Sequence, residues 1–237
     1  MKILSFDSAT QSATCALIED EKLLGEITFN YKKQHSVLIM SMIDTLLTNT
    51  ETDIADIDGF AISKGPGSFT GLRIGMATFK GICNGLNKPL IGISSLDALA
   101  YNLAYTDGII CPILDALRNN VYTAIYKFEN GTLVKLDDYS CTSIEELIEK
   151  LNDYKCNITF IGDGTYKFKE LLSSKLSNVF FAPTSLNVVK ASSLGELGLQ
   201  HLKDNNIDDI YSLAPIYLRK SQAEREYEEK YHKGVED

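Results

Sequence analysis

Directly after Met1 the sequence continues with Lys2-Ile-Leu-Ser-Phe-Asp7, a short apolar run that ends in a carboxylate. Two similar runs follow at 12–19 and 22–29, and an acidic turn joins them. Short apolar runs that are linked by tight polar turns are typical of a β-meander. The sequence therefore predicts that the first three elements are neighbouring strands.

The same order of patterns occurs twice along the chain. In the first half, helix patterns follow the meander at 34–47, 71–86 and 95–105, with strands between them at 59–63 and 89–93. In the second half, strands are predicted at 109–114, 121–128, 131–139, 158–161 and 179–181, and helices at 143–151, 165–173 and 188–202. This duplicated order predicts an α/β protein with two domains, each a mixed sheet with helices packed on it.

The predicted domains follow from this duplication. We expect an N-terminal domain over 1–106, a C-terminal domain over 107–213, and a solvated helical tail over the Glu- and Lys-rich segment 214–237. An aspartate ends the first strand of each half, at Asp7 and at Asp115. This arrangement resembles the actin-like (ASKHA, ribonuclease H-like) folds of actin, sugar kinases and Hsp70. In those folds the turn after the first strand cradles nucleotide phosphate between the domains.

Composition excludes several classes of protein. The chain has 237 residues, 44% of them hydrophobic, and 23 Lys or Arg against 32 Asp or Glu, which leaves a formal net charge of −9. These proportions are those of a globular protein rather than a disordered one. Neither half is basic, so strong direct binding to RNA or DNA is not expected. The apolar start is interrupted at Asp7 and no run of about 20 apolar residues occurs, which predicts a cytoplasmic protein without a secretory signal or a membrane span.

The sequence contains no recognisable catalytic or metal-binding pattern. Its five cysteines are widely spaced without a CxxC pair, which predicts reduced thiols. Its three histidines, His35, His201 and His232, lack the i, i+4 spacing of a helical zinc pair. No G-x-S-x-G nucleophile motif occurs. We therefore predict no catalytic residue and no metal ligand.

The turn Asp7-Ser-Ala-Thr10 is a candidate phosphate-binding site. A carboxylate there could order a magnesium ion beside a phosphate, or Asp7 and Thr10 could close a turn by side-chain hydrogen bonds. We favour the second interpretation, because Ala9 replaces the glycine that close phosphate approach requires. The turn at 115–120 also lacks glycine, and Gly162-Asp-Gly164 is too common a turn to be specific. No cofactor is therefore predicted.

The most specific motif is Gly65-Pro-Gly-Ser-Phe-Thr-Gly-Leu-Arg-Ile-Gly75, which does not match a P-loop. Four glycines lie in or near the following helix: Gly71, Gly75, Gly81 and Gly85. Each costs about 1 kcal/mol relative to Ala inside a helix. A flat glycine-lined face allows another helix to approach closely, but this helix alone does not decide whether that helix belongs to the same domain or to a partner.

The first helix favours a partner. Its apolar residues cover an arc of about 200°, whereas a helix that covers a core needs a stripe of about 100°. We predict that helices 34–48 and 70–86 lie side by side and bind a partner, as a four-helix bundle with a second copy or with a homologous protein. The predicted interface residues are His35, Leu38, Ile39, Met42, Ile43, Leu46, Thr70, Gly71, Ile74, Gly75, Thr78 and Ile82.

The glycine string 65–75, together with Asp7-Ser-Ala-Thr10, His35-Ser36, Asp115-Ala-x-Arg118 and Pro215-x-Tyr217-Leu-Arg219, resembles the TsaB (YeaZ) family over nearly the whole chain. The resemblance implies a catalytically silent relative of TsaD, the subunit that transfers a threonylcarbamoyl group to an adenosine beside the tRNA anticodon. It also implies TsaD-like and TsaE-like partners, a homodimer in isolation, and contact with tRNA only through the complex.

The resemblance leaves some points open. Leu117 and Asn120 stand where many members carry an Arg and a Glu, so any role of those charges does not transfer. A nucleotide at the joint cleft with the partner remains possible. Two other functions also stay open at this point: an ATP-dependent phosphotransferase of the sugar-kinase type, which would need intact phosphate turns, and a glycoprotease of the M22 type, which would need metal ligands.

Overall fold

The computed structural model describes residues 1–31, 35–220, 227, 230 and 231, with only the backbone of residues 35 and 36. The elements of the first half are β1 (Lys2–Asp7), β2 (Ala13–Glu19), β3 (Lys22–Phe29), α1 (His35–Asn49), β4 (Gly59–Ser63), α2 (Phe69–Leu86), β5 (Leu90–Ile93) and α3 (Ser95–Tyr101). Those of the second half are β6 (Ile109–Asp115), β7 (Asn120–Glu129), β8 (Thr132–Ser143), α4 (Ile144–Leu151), β9 (Ile158–Ile161), α5 (Gly164–Lys175), β10 (Val179–Phe181) and α6 (Ala191–Lys203). None of the described helices combines the length and the apolar character needed to cross a bilayer.

The strands form two five-stranded mixed sheets of the same design. Their orders are β3-β2-β1-β4-β5 and β10-β9-β6-β7-β8. The first strand of each half pairs antiparallel with the strand that follows it and parallel with a strand after the first helix. The predicted duplication of an α/β unit is therefore confirmed.

Each sheet is covered on both faces, so its central strands are buried throughout. In β1, Leu4 and Phe6 belong to the apolar cluster under α1 and α2. Ile3 belongs to the cluster on the opposite face, where Ser5 donates a hydrogen bond to the Ala191 carbonyl oxygen of α6 at 2.7 Å. Alternating side chains of one strand thus anchor two different helical layers.

The last helix packs on the first sheet, although it follows the second sheet in sequence. A β carbon added to Gly198 would lie 2.7 Å from the Ala61 Cβ atom of β4, so α6 sits directly on the strands of the first half. The predicted C-terminal domain, 107–213, therefore does not match the packing of α6. Residue order cannot show this return of the chain, because the apolar stripe of α6 would fit either sheet.

The segment 214–220 is a strap across both halves rather than the start of a solvated helical tail. Ile216 donates a backbone hydrogen bond to Lys64 O at 2.7 Å, and the Tyr217 ring stacks on Phe69 with ring centroids 4.4 Å apart. Arg219 then donates to the Ala116 carbonyl oxygen in the second half. Backbone bonds and stacking hold this segment, so it lacks the periodic apolar pattern that would have predicted its contacts. Most of the predicted tail beyond 220 lies outside the described residues.

Candidate partner-binding surface

The apolar side of α1 is occupied by the protein's own core. Five of the predicted interface residues on this helix are buried: Leu38, Ile39, Met42, Ile43 and Leu46. Helix α1 contacts β2, β3 and α2 at once, so it needs a wider apolar stripe than a helix that lies on a sheet alone. The prediction that half of this arc faces a partner is therefore wrong for these residues. The His35 side chain lies outside the described residues.

The first two glycines of α2 serve packing within the chain. A β carbon on Gly71 would overlap the Ser8 carbonyl oxygen, and one on Gly75 would lie 2.5 Å from the Ser8 hydroxyl oxygen. That hydroxyl donates a hydrogen bond to Gly71 O at 2.9 Å. Gly71 and Gly75, predicted as partner contacts, are buried because α2 must approach the turn after β1.

The last two glycines of α2 have no such explanation. Gly81 and Gly85 are exposed, and a β carbon on either would meet no atom of the described chain within 4 Å. Alanine would favour the helix by about 1 kcal/mol at each position. These two glycines therefore do nothing for the packing of α2 in the isolated chain.

The exposed sides of α1 and α2 form one surface, which we call the α1–α2 face. Its residues are Val37, Met40, Ser41, Asp44, Thr45, Thr48, Asn49, Thr70, Arg73, Ala77, Gly81, Asn84 and Gly85. Of the predicted interface residues, Thr70 lies on this face, and Ile74, Thr78 and Ile82 are half-buried along its border.

This face is poor in charge. The 15 residues of α1 and the 18 of α2 include only three Asp, Glu, Lys or Arg side chains, at Asp44, Arg73 and Lys80. The 8 residues of α4 and the 12 of α5 include eight. Depletion of charge distinguishes the cores of protein interfaces from other surface. Sequence reasoning missed this signal because it followed the apolar residues rather than the missing charges.

The glycine string places the N-terminus of α2 over the turn that follows β1. Gly65 adopts a left-handed backbone with φ of +91°, and the Gly65–Pro66 peptide bond is cis. The Ser68 side chain accepts a hydrogen bond from Gly71 N at 3.3 Å, and Ser68 N donates to Ala9 O at 2.6 Å. A β carbon on Gly67 would overlap the same Ala9 oxygen. The loop that leads into α2 thus lies directly on the backbone of the turn after β1.

Asp7 is closed off beneath this loop. Its side chain is fully buried, Oδ1 accepts a hydrogen bond from Ala9 N at 3.3 Å, and Oδ2 accepts none from any residue that the structure describes. Burial raises the pKa of Asp7 to about 7, against the opposing effects of the Ser63 hydroxyl and the Ala9 amide. Ser12 N donates to Thr10 Oγ1 at 3.3 Å. The interpretation of Asp7 and Thr10 as turn-closing residues is confirmed.

The corresponding carboxylate of the second half is held differently. Asp115 Oδ1 accepts Leu117 N at 3.1 Å and lies 3.4 Å from Lys167 Nζ, while Asp115 N donates to Asp163 Oδ1 at 2.9 Å. Burial raises the pKa of Asp163. A β carbon on Gly162 would overlap Ile113 O, so this glycine serves strand packing. Within the ranges described, no group of three or more His, Cys, Asp and Glu could hold a metal ion.

Comparison with known proteins places this fold among tRNA-modification proteins. A family model described as TsaD, tRNA N6-adenosine threonylcarbamoyltransferase, matches residues 22–227. The tRNA threonylcarbamoyladenosine biosynthesis protein TsaB of Bacillus subtilis is 32% identical over 228 residues, which cover 96% of this chain and 98% of that protein. TsaB of Escherichia coli is 27% identical over 229 residues, covering 94% and 96% of the two chains. The solved structure of YeaZ from Pseudomonas aeruginosa shares the fold, with a TM-score of 0.79 at 20% identity over 92% of this chain and 99% of that one.

Proposed function

The chain belongs to the family of the tRNA threonylcarbamoyltransferase TsaD and, within it, to the TsaB (YeaZ) proteins of threonylcarbamoyladenosine (t6A) biosynthesis, and from this premise we propose that it is a non-catalytic subunit that binds and activates a TsaD-like enzyme. Its contribution is the α1–α2 face, on which the helices of a partner with the same fold would pack. A TsaE-like ATPase completes the complex, tRNA is contacted through the complex, and the chain alone pairs with a second copy. This complex acts in the cytoplasm.

The observation that carries this proposal is the pair Gly81 and Gly85. Both are exposed in the middle and last turns of α2 without a neighbour within 4 Å in the described chain. A glycine disfavours a helix by up to about 1 kcal/mol relative to Ala, so two such residues need a compensating gain elsewhere. Close approach of a partner helix supplies that gain, because the contact surface rises when no side chain separates the backbones.

The closed turn after β1 supports a role without catalysis. The Ala9 carbonyl oxygen accepts a hydrogen bond from Ser68 N and lies against Gly67. The Asp7 carboxyl group beside them is fully buried. A nucleotide phosphate would have to displace this loop and the N-terminus of α2 with it. We therefore propose that the chain needs no cofactor of its own and acts neither as a sugar-kinase-type phosphotransferase nor as a glycoprotease.

The double substitution Gly81→Ala with Gly85→Ala tests the proposal. We expect the unpaired chain, at concentrations too low for self-association, to become more stable by about 1–2 kcal/mol, because the helix gains two favourable residues. Pairing with the TsaD-like subunit, measured by isothermal titration calorimetry, should weaken at least about tenfold, which is about 1.4 kcal/mol. The tRNA-modification rate of the reconstituted complex should fall in parallel.

Ser173→Ala provides the matched control. Ser173 is exposed on α5, so the change also favours a helix but leaves the α1–α2 face intact. This variant should pair like the unchanged protein. Unchanged pairing of the Gly81 and Gly85 variant, with its stability raised, would show that no partner helix approaches this part of α2.

A further inference from the structure

A groove opens beside the C-terminal turns of α1. It is a shallow, open groove of about 530 Å³, lined by the last turns of the helix and by the segment 51–54. The floor is apolar, since Met40, Ile43, Leu47 and Ile54 line it. Met40 is 53% exposed, so an unbranched and adaptable apolar side chain is presented to solvent here.

Carboxylates surround this apolar floor. Asp44, Glu51 and Asp53 line the groove, and no Lys or Arg among the described residues does. Asp53 Oδ1 accepts a hydrogen bond from Ala55 N at 2.9 Å. In the part of the chain that the structure describes, Asp44 and Glu51 take part in no ion pair. Both side chains are exposed and available to an incoming cation.

The sequence around the groove has the same sign of charge. Residues 36–63 include Asp44, Glu51, Asp53, Asp56 and Asp58 and contain no Lys or Arg. The electrostatic field of a segment whose charges are all negative attracts a positively charged partner and repels a negatively charged one. The whole chain adds to this effect, because its net charge is −9.

We propose that the groove docks a segment of the partner protein that carries a Lys or Arg between apolar side chains. The apolar residues would pack against Met40 and Leu47, and the cation would lie between Asp44 and Glu51. This inference rests on the proposed function, because it assigns the segment to the TsaD-like subunit that binds the adjacent α1–α2 face.

The groove also favours a basic partner over the second copy with which the chain pairs when it is alone. Two copies related by a twofold axis would use the same surface on both sides. In such a pair each copy brings the same acidic residues to the interface, whereas a basic segment on a different protein would be attracted. A like-charge contact of this kind is a common device for selecting one partner over another.

The double variant Asp44→Asn with Glu51→Gln tests the assignment. Pairing of the full-length chain with the TsaD-like subunit is measured by calorimetry at about 50 mM and about 300 mM NaCl, because the screening length of exposed charges falls from about 14 Å to about 6 Å between these salts. We expect the unchanged protein to lose about tenfold in affinity between these salts. The variant should bind about tenfold more weakly at low salt and should change less than about twofold with salt. Self-association of the isolated variant at low salt should become stronger.

The control variant is Glu149→Gln with Glu170→Gln, which changes the net charge equally on the exposed sides of α4 and α5. It should keep the affinity and the salt dependence of the unchanged protein. A groove variant that binds as tightly and as salt-dependently as the unchanged protein would overturn the groove assignment while the pairing itself stands. An unchanged protein that fails to pair at either salt would overturn the proposed function and this assignment together.

Discussion

The helix pairs α1–α2 and α4–α5 occupy equivalent places, each on the outer face of a five-stranded sheet. Their exposed sides nevertheless differ: α4 and α5 carry charge along their whole length, while α1 and α2 expose Val37, Met40, Ala77 and two glycines. A helix that faces water gains solubility from charge, so the second pair is built to remain exposed. The exposed composition of the first pair supports our proposal that a partner covers it.

The carboxylates that end the first strands show the same division. Asp115 is engaged by Lys167 and by backbone amides, as an exposed carboxylate in a turn normally is. Asp7 is fully buried under the α2 loop, with one oxygen that accepts no hydrogen bond from the described residues. In the first half, the loop that leads into α2 therefore covers the turn after β1. The following substitutions test this difference between the halves.

The largest effect is expected for Gly71→Ala. The added methyl group would overlap the Ser8 carbonyl oxygen, which is backbone and cannot rotate away. We expect a loss of more than about 3 kcal/mol in the free energy of unfolding, at the upper end of overpacking effects. Chemical denaturation measures this quantity. Gly85→Ala on the same helix is the control and should raise the stability by up to about 1 kcal/mol. Equal effects at the two positions would contradict the finding that the N-terminal end of α2 packs on the chain while Gly85, near its C-terminal end, has no such contact in the described chain.

The contrast between Gly71 and Gly85 also shows how much of the structure can be predicted from the sequence alone. Element order, the family motifs and the side-by-side helices follow from local patterns, since strand alternation and helix periodicity depend on neighbouring residues. The structural role of a glycine cannot be predicted from local patterns. Gly71 is required because of its contact with Ser8, which lies 63 positions earlier, and nothing in the local sequence distinguishes Gly71 from Gly85. The packing of α6 on the first sheet and the strap at 214–220 depend on distant contacts in the same way.

Asp7→Asn should change the pH dependence of stability. The carboxyl group titrates near its ordinary pKa of 3.8 when unfolded and at about 7 when folded, so the native state binds the proton more tightly. Stability is therefore lost as the pH rises from about 4 to about 7, and the loss from pH 5 to pH 8 is at most about 3 kcal/mol. Asparagine has no proton to lose, so urea unfolding of the variant at pH 5, 6, 7 and 8 should lack this decline.

Asp115→Asn is the counterpart in the second half. Its carboxylate is partly exposed and paired with Lys167 at 3.4 Å, so its removal should cost less than about 1 kcal/mol. The pH dependence of that variant should follow the unchanged protein. If Asp7→Asn and Asp115→Asn gave the same pH profile, the Asp7 carboxyl group would not be held apart from solvent as the structure shows.

The substitution with the smallest expected effect on the fold tests the binding of a partner. Ala77 is exposed at the centre of the α1–α2 face, so Ala77→Lys should fold normally and leave the free energy of unfolding within about 0.5 kcal/mol. In the complex with a TsaD-like subunit the ammonium group would be buried without a counter-charge, which should weaken binding by about 2 kcal/mol or about 30-fold. Ser173→Lys on α5 places the same charge on the equivalent helix pair of the second half and should not affect binding. Equal affinities for the two lysine variants would mean that a scarcity of charge on α1 and α2 does not mark the side of the molecule that is covered.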